Sequence, residues 1–510
     1  MKEFDFNNLF IFELANNHQG DVDHGLAIIR NIGNLAKQNA VRGGIKFQFR
    51  QLDTFIHPDY KNNLDIKHIK RFMETRLDDS QFQVLINETK KQLLIPIGTA
   101  FDEASVKQML DMGIEIIKVA SCSAVDQPLI KEIVNAKRPV IVSTAGMNIN
   151  QIDRLVSYFQ LKNVHFAIMH CIALYPSPHE KLRLNQIELL RKRFPAITIG
   201  FSTHEHPDNY ASIQIAFAKG ARIFERHIDM ETGEYKMNAY SSSPKQIDSW
   251  LKSYKEAVDM CGGDAERPPS FPEELSSLNS LKRGVYASRN IDKGIVIRRE
   301  DVFFAMPLQE GQMKSDRWLD SEFKADKSYL KNLPLSAELT PFDYEKSENL
   351  IFQVTLLVKA MLNNANISFG QNSSIEISHH FGLDRFREFG AVIIDCVNRD
   401  YCKKLIVQLA RQKHPYHYHK RKEETFQLLH GDLEVYIEGK STQLKIGDTL
   451  LIEPNQWHKF QTLHGAVFEE ISTHHYDNDS FYEDERITMI AKESRKTKIP
   501  NWEAAVIEKL

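Results

Sequence analysis

The residue pattern with the clearest chemistry begins at His417-Tyr418-His419. Four residues separate it from Glu424, six more precede Gly431, and His458 follows at the end of GDTLLIEPNQWH. Three imidazoles and one carboxylate form a borderline donor set suited to manganese, iron, nickel or zinc. Histidines two apart on a strand share a face, so Glu424 and His458 must close the set from neighbouring strands. The bland alternative is a surface histidine cluster beside a coincidental glutamate. A second collection lies in the first half of the chain. Glu13, Lys46 with Gln48, Lys118 with Ser121, Ser143, His170 with Tyr175, Ser202 with His204, and Glu225 with His227 each fall at the end of a short apolar run. A lysine inside an apolar stretch such as IIKVAS is more often a binding group than packing, because an unpaired buried charge is costly. Two such lysines with nearby hydroxyls make a cradle for phosphate or carboxylate. His204 and His227 either bind a divalent metal or hydrogen-bond within a core. Glu225, two residues before His227, shares its face.

The elements that must carry these groups follow from periodicity. Eight apolar runs recur at Leu9–Leu14, Gly44–Phe49, Leu94–Thr99, Ile116–Ala120, Pro139–Thr144, Phe166–Cys171, Thr198–Ser202 and Arg222–His227. Between them lie helical patterns such as GLAIIRNIGNLAKQNA and DSQFQVLINETKKQL. Near-continuous apolar strands alternating with helices predict parallel strands buried on both faces. Eight units in about 250 residues fit an α/β (β/α)8 TIM barrel, whose strand ends open onto the active site. An open doubly wound sheet is the alternative, but no G-x-G-x-x-G follows the first strand.

The barrel is expected to span residues 1–262. A Gly- and Pro-rich stretch, CGGDAERPPSFPEE, reads as a linker over 263–279. A short strand-rich region, 280–345, is too small for much core of its own. A further boundary falls near 342–350. The rest, 346–510, holds KKLIVQLA, ETFQLLHG, LEVYIEG, STQLKIGDTLLIEP and AVFEEIST, which predict an antiparallel double-sheet barrel.

Composition narrows the function classes. Hydrophobic residues are 42% and charged residues 26%, as in globular protein, and Lys plus Arg (65) balances Asp plus Glu (68). That balance carries no nucleic-acid footprint. The N-terminus has no basic region followed by an apolar stretch, and no window has the apolar length of a membrane helix. Five scattered cysteines with no CxxC pair predict a reducing, cytoplasmic setting.

The motifs FELANNHQG, GIKFQFR, IIKVAS, VIVSTAGM, HCIALYP, GFSTH and FERHI occur in that order. With them, residues 1–345 resemble the sialic acid synthase family, which condenses phosphoenolpyruvate with an aldehyde sugar. RGVYASRNIDKGIVIRREDV is similar to the small antifreeze-like (SAF) domain of those enzymes. The resemblance implies a manganese ion on His204 and His227. It implies that Lys46, Lys118, Ser121, Ser143 and Ser202 hold the phosphate and carboxylate of phosphoenolpyruvate. Glu13, Gln48, Tyr175 and Glu225 would surround the acceptor and the reacting centre, with Glu13 or Glu225 as base. It also implies a homodimer.

The acceptor side departs from the family pattern. Ile172 and Ala173 follow the His-Cys pair, Thr203 replaces an acid before His204, and Ser123 stands where a Glu is usual. Asn238 occupies the place of an acceptor-binding Asp, and Ala305-Met306-Pro307-Leu308 lacks the usual Arg. Losing charge-assisted bonds of about 1.5–3 kcal/mol each points to an aldose other than N-acetylmannosamine. A Schiff-base aldolase using Lys118 is the competing enzyme reading.

The histidine and glutamate pattern first described is the signature of a cupin barrel. HPYHYHKRKEETF, PNQWHKF, GAVFEEIST and EDERI resemble the D-lyxose isomerase branch of cupins. That resemblance implies a metal on His417, His419, Glu424 and His458, and a proton-transferring Glu470 with Lys422 beside it. The reading that follows is a phosphoenolpyruvate-dependent carbon–carbon bond-forming transferase making a 3-deoxy-2-keto sugar acid. Its cupin binds or isomerises the sugar, or serves as a non-catalytic sugar-binding or assembly module.

Overall fold

The computed structural model describes residues 4–263, 267–318, 322–340, 347–370, 373–474, 476 and 478–499. The chain divides into two compact units, Met1–Pro268 and Pro269–Leu510. In the first, eight parallel strands close in sequence order into a barrel. They are β1 (Leu9–Glu13), β2 (Arg42–Phe49), β3 (Ile95–Ala100), β4 (Ile116–Val119), β5 (Val140–Ser143), β6 (Phe166–Cys171), β7 (Ile199–Thr203) and β8 (Ile223–His227). Every one of the eight expected runs is therefore a strand, to within two residues at each end.

The alternation of side chains explains the layering. Inward residues Leu9, Ile11, Ile97, Ile116, Ile141, Met169 and Ile223 fill the floor of the barrel. Outward residues such as Phe10, Phe12, Phe47, Val142 and Phe224 pack beneath the surrounding helices with Ile28, Leu85, Ile133, Phe159 and Trp250. With the floor apolar, the polar inward groups gather toward the C-terminal ends of the strands, which is the active-site end of such barrels. Register then decides neighbours. Glu13 lies opposite Lys46 on one side and His227 on the other, and Ser202 lies opposite Glu225.

The second unit contains two separate hydrophobic clusters besides its double-sheet barrel core. Residues 284–339 enclose one built on Val285, Ile297, Met313, Trp318, Phe323 and Leu335. This corrects the expectation that the short region has little core of its own. Its strands pair antiparallel, Gly284–Ala287 with Val302–Ala305 and Val296–Ile297 with Phe323–Lys324. The expected linker is also partly corrected, since Pro272–Leu281 is a helix. Pro272 occupies its first turn with Glu273 and Glu274, where a fixed φ and negative charge both favour a helix start. Part of the boundary expected near 342–350, residues 342–346, lies outside the described residues.

Beyond it, a seven-stranded and a five-stranded sheet form the expected antiparallel double layer. Phe426, Leu428 and Phe468 of the first sheet meet Leu433, Val435 and Phe460 of the second in one core. Three strands of the larger sheet, Ser374–Ser378, Ala391–Asn398 and Lys496–Ile499, and the helix Ser347–Asn364 add to the sequence expectation. Val354, Val358 and Leu362 of that helix pack on Ile375, Ile377, Val392 and Val407. Among the described residues, no helix is long and apolar enough to cross a membrane.

Gly44 ties fold to site, because a Cβ there would lie 2.7 Å from the Ile95 backbone oxygen on the adjoining β3. Gly44→Ala must push these strands apart, displacing Lys46 and Gln48. A loss of about 1–3 kcal/mol is expected from such overpacking. Gly233 has nothing within 4 Å of its would-be Cβ, so Gly233→Ala should stay within about 0.5 kcal/mol. Urea midpoints of the two variants check the contrast.

Candidate functional sites

The polar strand ends of the barrel line one cavity of about 1190 Å³. All twelve residues expected to act there meet in its wall: Glu13, Lys46, Gln48, Lys118, Ser121, Ser143, Tyr175, Ser202, His204, Glu225, His227 and Asn238. Its floor is a chain of buried charges. Lys46 Nζ contacts a carboxylate oxygen of Glu13 and donates to Glu225 Oε1 at 2.9 Å. Lys118 Nζ lies 3.7 Å from Glu225 Oε2 and 2.5 Å from Ser143 Oγ. Ser202 Oγ donates to Glu225 Oε1 at 3.0 Å. Both lysines and both glutamates are almost wholly buried.

This crowding sets protonation. Burial pulls the Lys46 ammonium down to about 8, against the attraction of Glu225. Burial alone would raise the Glu225 carboxyl, but Lys118 and Lys46 hold it well below the usual carboxylate range. Glu13 Oε2 is shielded from solvent and met by Lys46, while Glu225 Oε2 is shielded and has Lys118 at 3.7 Å. The floor is thus a buried network of two lysines and two carboxylates.

His204 and His227 stand above it, with ring centroids 5.3 Å apart. His204 Nδ1 bonds the Ile172 carbonyl at 2.9 Å, which leaves Nε2 unprotonated in the neutral ring. Burial pushes His204 down to about 4 and His227 well below its ordinary value. Two neutral imidazoles facing a cavity fit a divalent cation whose other ligands are not side chains of the same cluster. Tyr175 packs on His204 at 4.2 Å between ring centroids. His170 does not join them. Its Nε2 bonds the Leu182 carbonyl at 2.8 Å and the ring stacks on Phe201, so it is a packed histidine outside the cavity. Asn238 reaches Asn17 at 3.3 Å and accepts from the backbone of Tyr240 and Ser241, which shapes the loop over the cavity.

The second constellation lies between the two sheets of the other unit, around a cavity of about 540 Å³. The strand pair His417↔His458 sets two imidazoles side by side, and His419 follows the strand end. Glu424 comes from the opposite sheet. Donor atoms of His417, His419 and His458 lie within 4.8 Å of one another, the sole such trio found among the described residues. Each ring turns Nδ1 to a carbonyl: His417 to Pro415 at 3.0 Å, His419 to Asp479 at 2.6 Å, His458 to Gln456 at 3.0 Å. Backbone carbonyls only accept, so each Nδ1 carries the proton and each Nε2 offers a lone pair to the centre. Glu424 Oε2 lies 3.1 Å from His458 Nε2, and both atoms are buried without a donor. Two lone pairs at that separation repel unless a proton or a metal cation lies between them, and the donor set fits a divalent metal.

Lys422 bridges two carboxylates here. It contacts Glu424 and donates to Glu470 Oε1 at 3.0 Å. Lys404 lies 3.7 Å from the same Glu470 oxygen. Burial would raise Glu470, but Lys404 and Lys422 hold it below its ordinary value. The register explains the meeting, since Glu470 is opposite Lys404 on one side and Phe426 on the other. Sequence reasoning missed Asp479. Its carboxylate accepts from the backbone N–H groups of Lys420, Arg421 and Lys422, and so shapes the turn that presents His419 and Lys422. It also missed Arg50 in the barrel cavity, which has no spacing signal beyond falling two residues after Gln48.

These geometries separate two metal affinities. His419→Ala and His458→Ala should each weaken divalent-metal binding at the four-residue set by at least tenfold. His204→Ala should leave that site filled. Metal content of purified protein after dialysis, measured by mass spectrometry, checks both outcomes.

Sequence and structural comparisons bear on both units. The model of the NeuB family matches residues 35–266, and the cupin domain model matches residues 405–471. A solved structure of a putative spore coat polysaccharide biosynthesis protein E from Chromobacterium violaceum is 42% identical. It covers 66% of this chain and all of that one, with a TM-score of 0.64. The N-acetylneuraminate-9-phosphate synthase of Drosophila melanogaster is 26% identical over 333 residues, covering 60% of this chain and 88% of that protein. The N,N'-diacetyllegionaminic acid synthase of Legionella pneumophila is 24% identical over 311 residues, covering 58% and 85%. The NeuB match over the barrel, with a relative matched at 42% identity over its whole length, places this chain in the NeuB family, with a cupin domain in its C-terminal part.

Proposed function

We propose that the barrel condenses phosphoenolpyruvate with an aldose to give a 3-deoxy-2-keto sugar acid and phosphate, and that the cupin isomerises the sugar. The observation that carries the first part is the floor of Lys46, Lys118, Glu13 and Glu225 lying beneath His204 and His227 in one cavity. The two lysines, Ser143 and Ser202 hold the phosphate and carboxylate of phosphoenolpyruvate, with Ser121 beside them. A divalent cation held by His204 and His227, manganese by family resemblance, would supply Lewis-acid polarisation of the acceptor aldehyde. C3 of phosphoenolpyruvate bonds the aldehyde carbon, and positive charge develops at C2. Lys46 and Lys118 keep the anionic groups fixed while that cation forms. Water then bonds C2, a carboxylate of Glu225 or Glu13 takes its proton, and the C2–O bond to phosphate breaks. Gln48 and Tyr175 line the acceptor side, and Asn238 shapes its loop. The segment 284–339 takes the part of the SAF domain, and the active form is a homodimer in the cytoplasm.

For the cupin, a cation on His417, His419, Glu424 and His458, drawn from manganese, iron, nickel or zinc, would polarise a sugar carbonyl. Glu470 lies outside the histidine trio and is held as carboxylate by Lys404 and Lys422. It is placed to move a proton between C1 and C2 of an open-chain sugar. A cupin that only binds sugar would keep metal and ligand yet show no exchange.

Two assays follow. Purified protein with phosphoenolpyruvate, manganese and a panel of neutral and anionic aldoses should release phosphate, and Lys118→Met should lower kcat/KM at least 100-fold. No release with any aldose counts against the condensation. His417→Ala with His419→Ala should abolish aldose–ketose exchange, followed by deuterium uptake at C2, yet spare phosphate release. Exchange that survives the double change removes the isomerase assignment.

A further inference from the structure

The barrel cavity has two layers of charge with different balances. In the floor, Lys46 and Lys118 face Glu13 and Glu225, two cations against two carboxylates. Around the mouth, Arg50, Lys67, Lys70, Arg71 and Lys236 share the wall with only Glu74, Asp229 and Glu234. Arg50 stands where the layers join. Lys46, Gln48 and Arg50 follow one another on one side of β2 and its extension, because side chains two apart share a face.

The guanidinium of Arg50 lies over two rings, 4.1 Å from the Phe72 centroid and 3.5 Å from that of Phe101. Its Nη2 donates to Gln48 Oε1 at 2.9 Å, while Gln48 Nε2 donates to Glu13 Oε1 at 3.3 Å. Its Nε–H is shielded from solvent and has no acceptor. Among the described residues no carboxylate lies within 4 Å of it. The oxygens of Asp102 are occupied elsewhere, accepting from the backbone of Gln51 and Ser105. Arg71 is likewise bonded only to neutral oxygens, those of Gln19 and Asn16, at 2.7 and 3.0 Å.

A planar, half-buried cation with a spare donor and no counter-ion is costly to keep unless a ligand supplies the anion. The stacking rings fix its plane, so little freedom is lost when a forked contact forms. We propose that Arg50 is the specificity determinant of the acceptor subsite, and that it takes an aldose carrying an anionic group, phosphate or carboxylate, remote from its aldehyde. This inference rests on the condensation proposed above, because it names the charge on that reaction's acceptor. Phosphoenolpyruvate is assigned to the balanced floor, one layer deeper.

The experiment is calorimetric titration of the full chain with the inner cradle saturated by 2-phospholactate, the unreactive saturated analogue of phosphoenolpyruvate. Hexose 6-phosphates, the matching hexuronic acids and the matching neutral hexoses are compared. At least one anionic series should bind tenfold or more tightly than the neutral sugars, and the series that does so identifies phosphate or carboxylate. Arg50→Gln should erase that preference while leaving 2-phospholactate affinity within twofold, and Arg50→Lys should retain part of it. Equal binding of neutral and anionic sugars by the unaltered chain overturns the proposal. So does Arg50→Gln weakening 2-phospholactate as much as sugar, which would make Arg50 part of the floor. Circular dichroism confirms that both variants fold. Preference for the anion without phosphate release from any sugar would refute the condensation and leave the Arg50 assignment standing.

Discussion

Lys46 and Lys118 are carried inside a closed barrel because β2 and β4 are too apolar to lie anywhere else. Burying an ammonium there is tolerable only if carboxylates come with it. Glu13 and Glu225 supply them, and the supply is dictated by register rather than by nearness in sequence, with Glu13 facing Lys46 across one strand pair. The remaining features of this cavity follow from that compensation. Glu225 is held below the usual carboxylate range by two lysines. Lys46 directs two of its three N–H donors at Glu13 and Glu225, so one remains for a second anion.

The cupin repeats the device with different purpose. Lys422 contacts Glu424 and Glu470 together, so one cation serves two acids with separate tasks. Glu424 turns toward the imidazoles, whose protons are all directed outward to carbonyls. Glu470 is left to Lys404 and Lys422. Removing Lys422 would therefore leave two carboxylates buried side by side, a strongly destabilising change of about 3–5 kcal/mol by the usual cost of breaking a buried pair. In both cavities the arrangement is a lysine poised between acids, and the chemistry proposed depends on which acid keeps a free oxygen.

Much of this was legible in the chain itself. Parallel strands buried on both faces leave near-continuous apolar runs, so all eight barrel strands could be read, and their polar ends named the cavity wall. The misses have a common cause. Ser374–Ser378 and Lys496–Ile499 alternate apolar with Glu376, Lys496 and Lys498, polar residues that face a cavity and mimic loop composition. Asp479 acts through three backbone N–H groups far away in sequence, which no spacing rule reveals. His170 misled in the other direction, since a strand-end histidine can be satisfied by a carbonyl behind the barrel wall. The helix Pro272–Leu281 hid in a Pro- and Glu-rich stretch whose composition fits a linker and a helix start equally well.

Arg50 shows where sequence reading stops and geometry begins. As a letter it is one more polar residue after a strand. In place, the same guanidinium lies over two rings, is tied through Gln48 to Glu13 in the cavity floor and is given no carboxylate of its own. A protein could satisfy Arg50 internally with one acid substituted for Phe72 or Phe101. That substitution would close the gap in charge and remove the stacking that orients the fork. The neutral oxygens around both Arg50 and Arg71 thus preserve an attraction that an internal ion pair would spend. Asn238, a neutral residue in the same cavity wall, fits the same logic. Charge recognition at the mouth rests on cations from β2 and the helix Lys67–Glu74, and an acid at 238 would have opposed it.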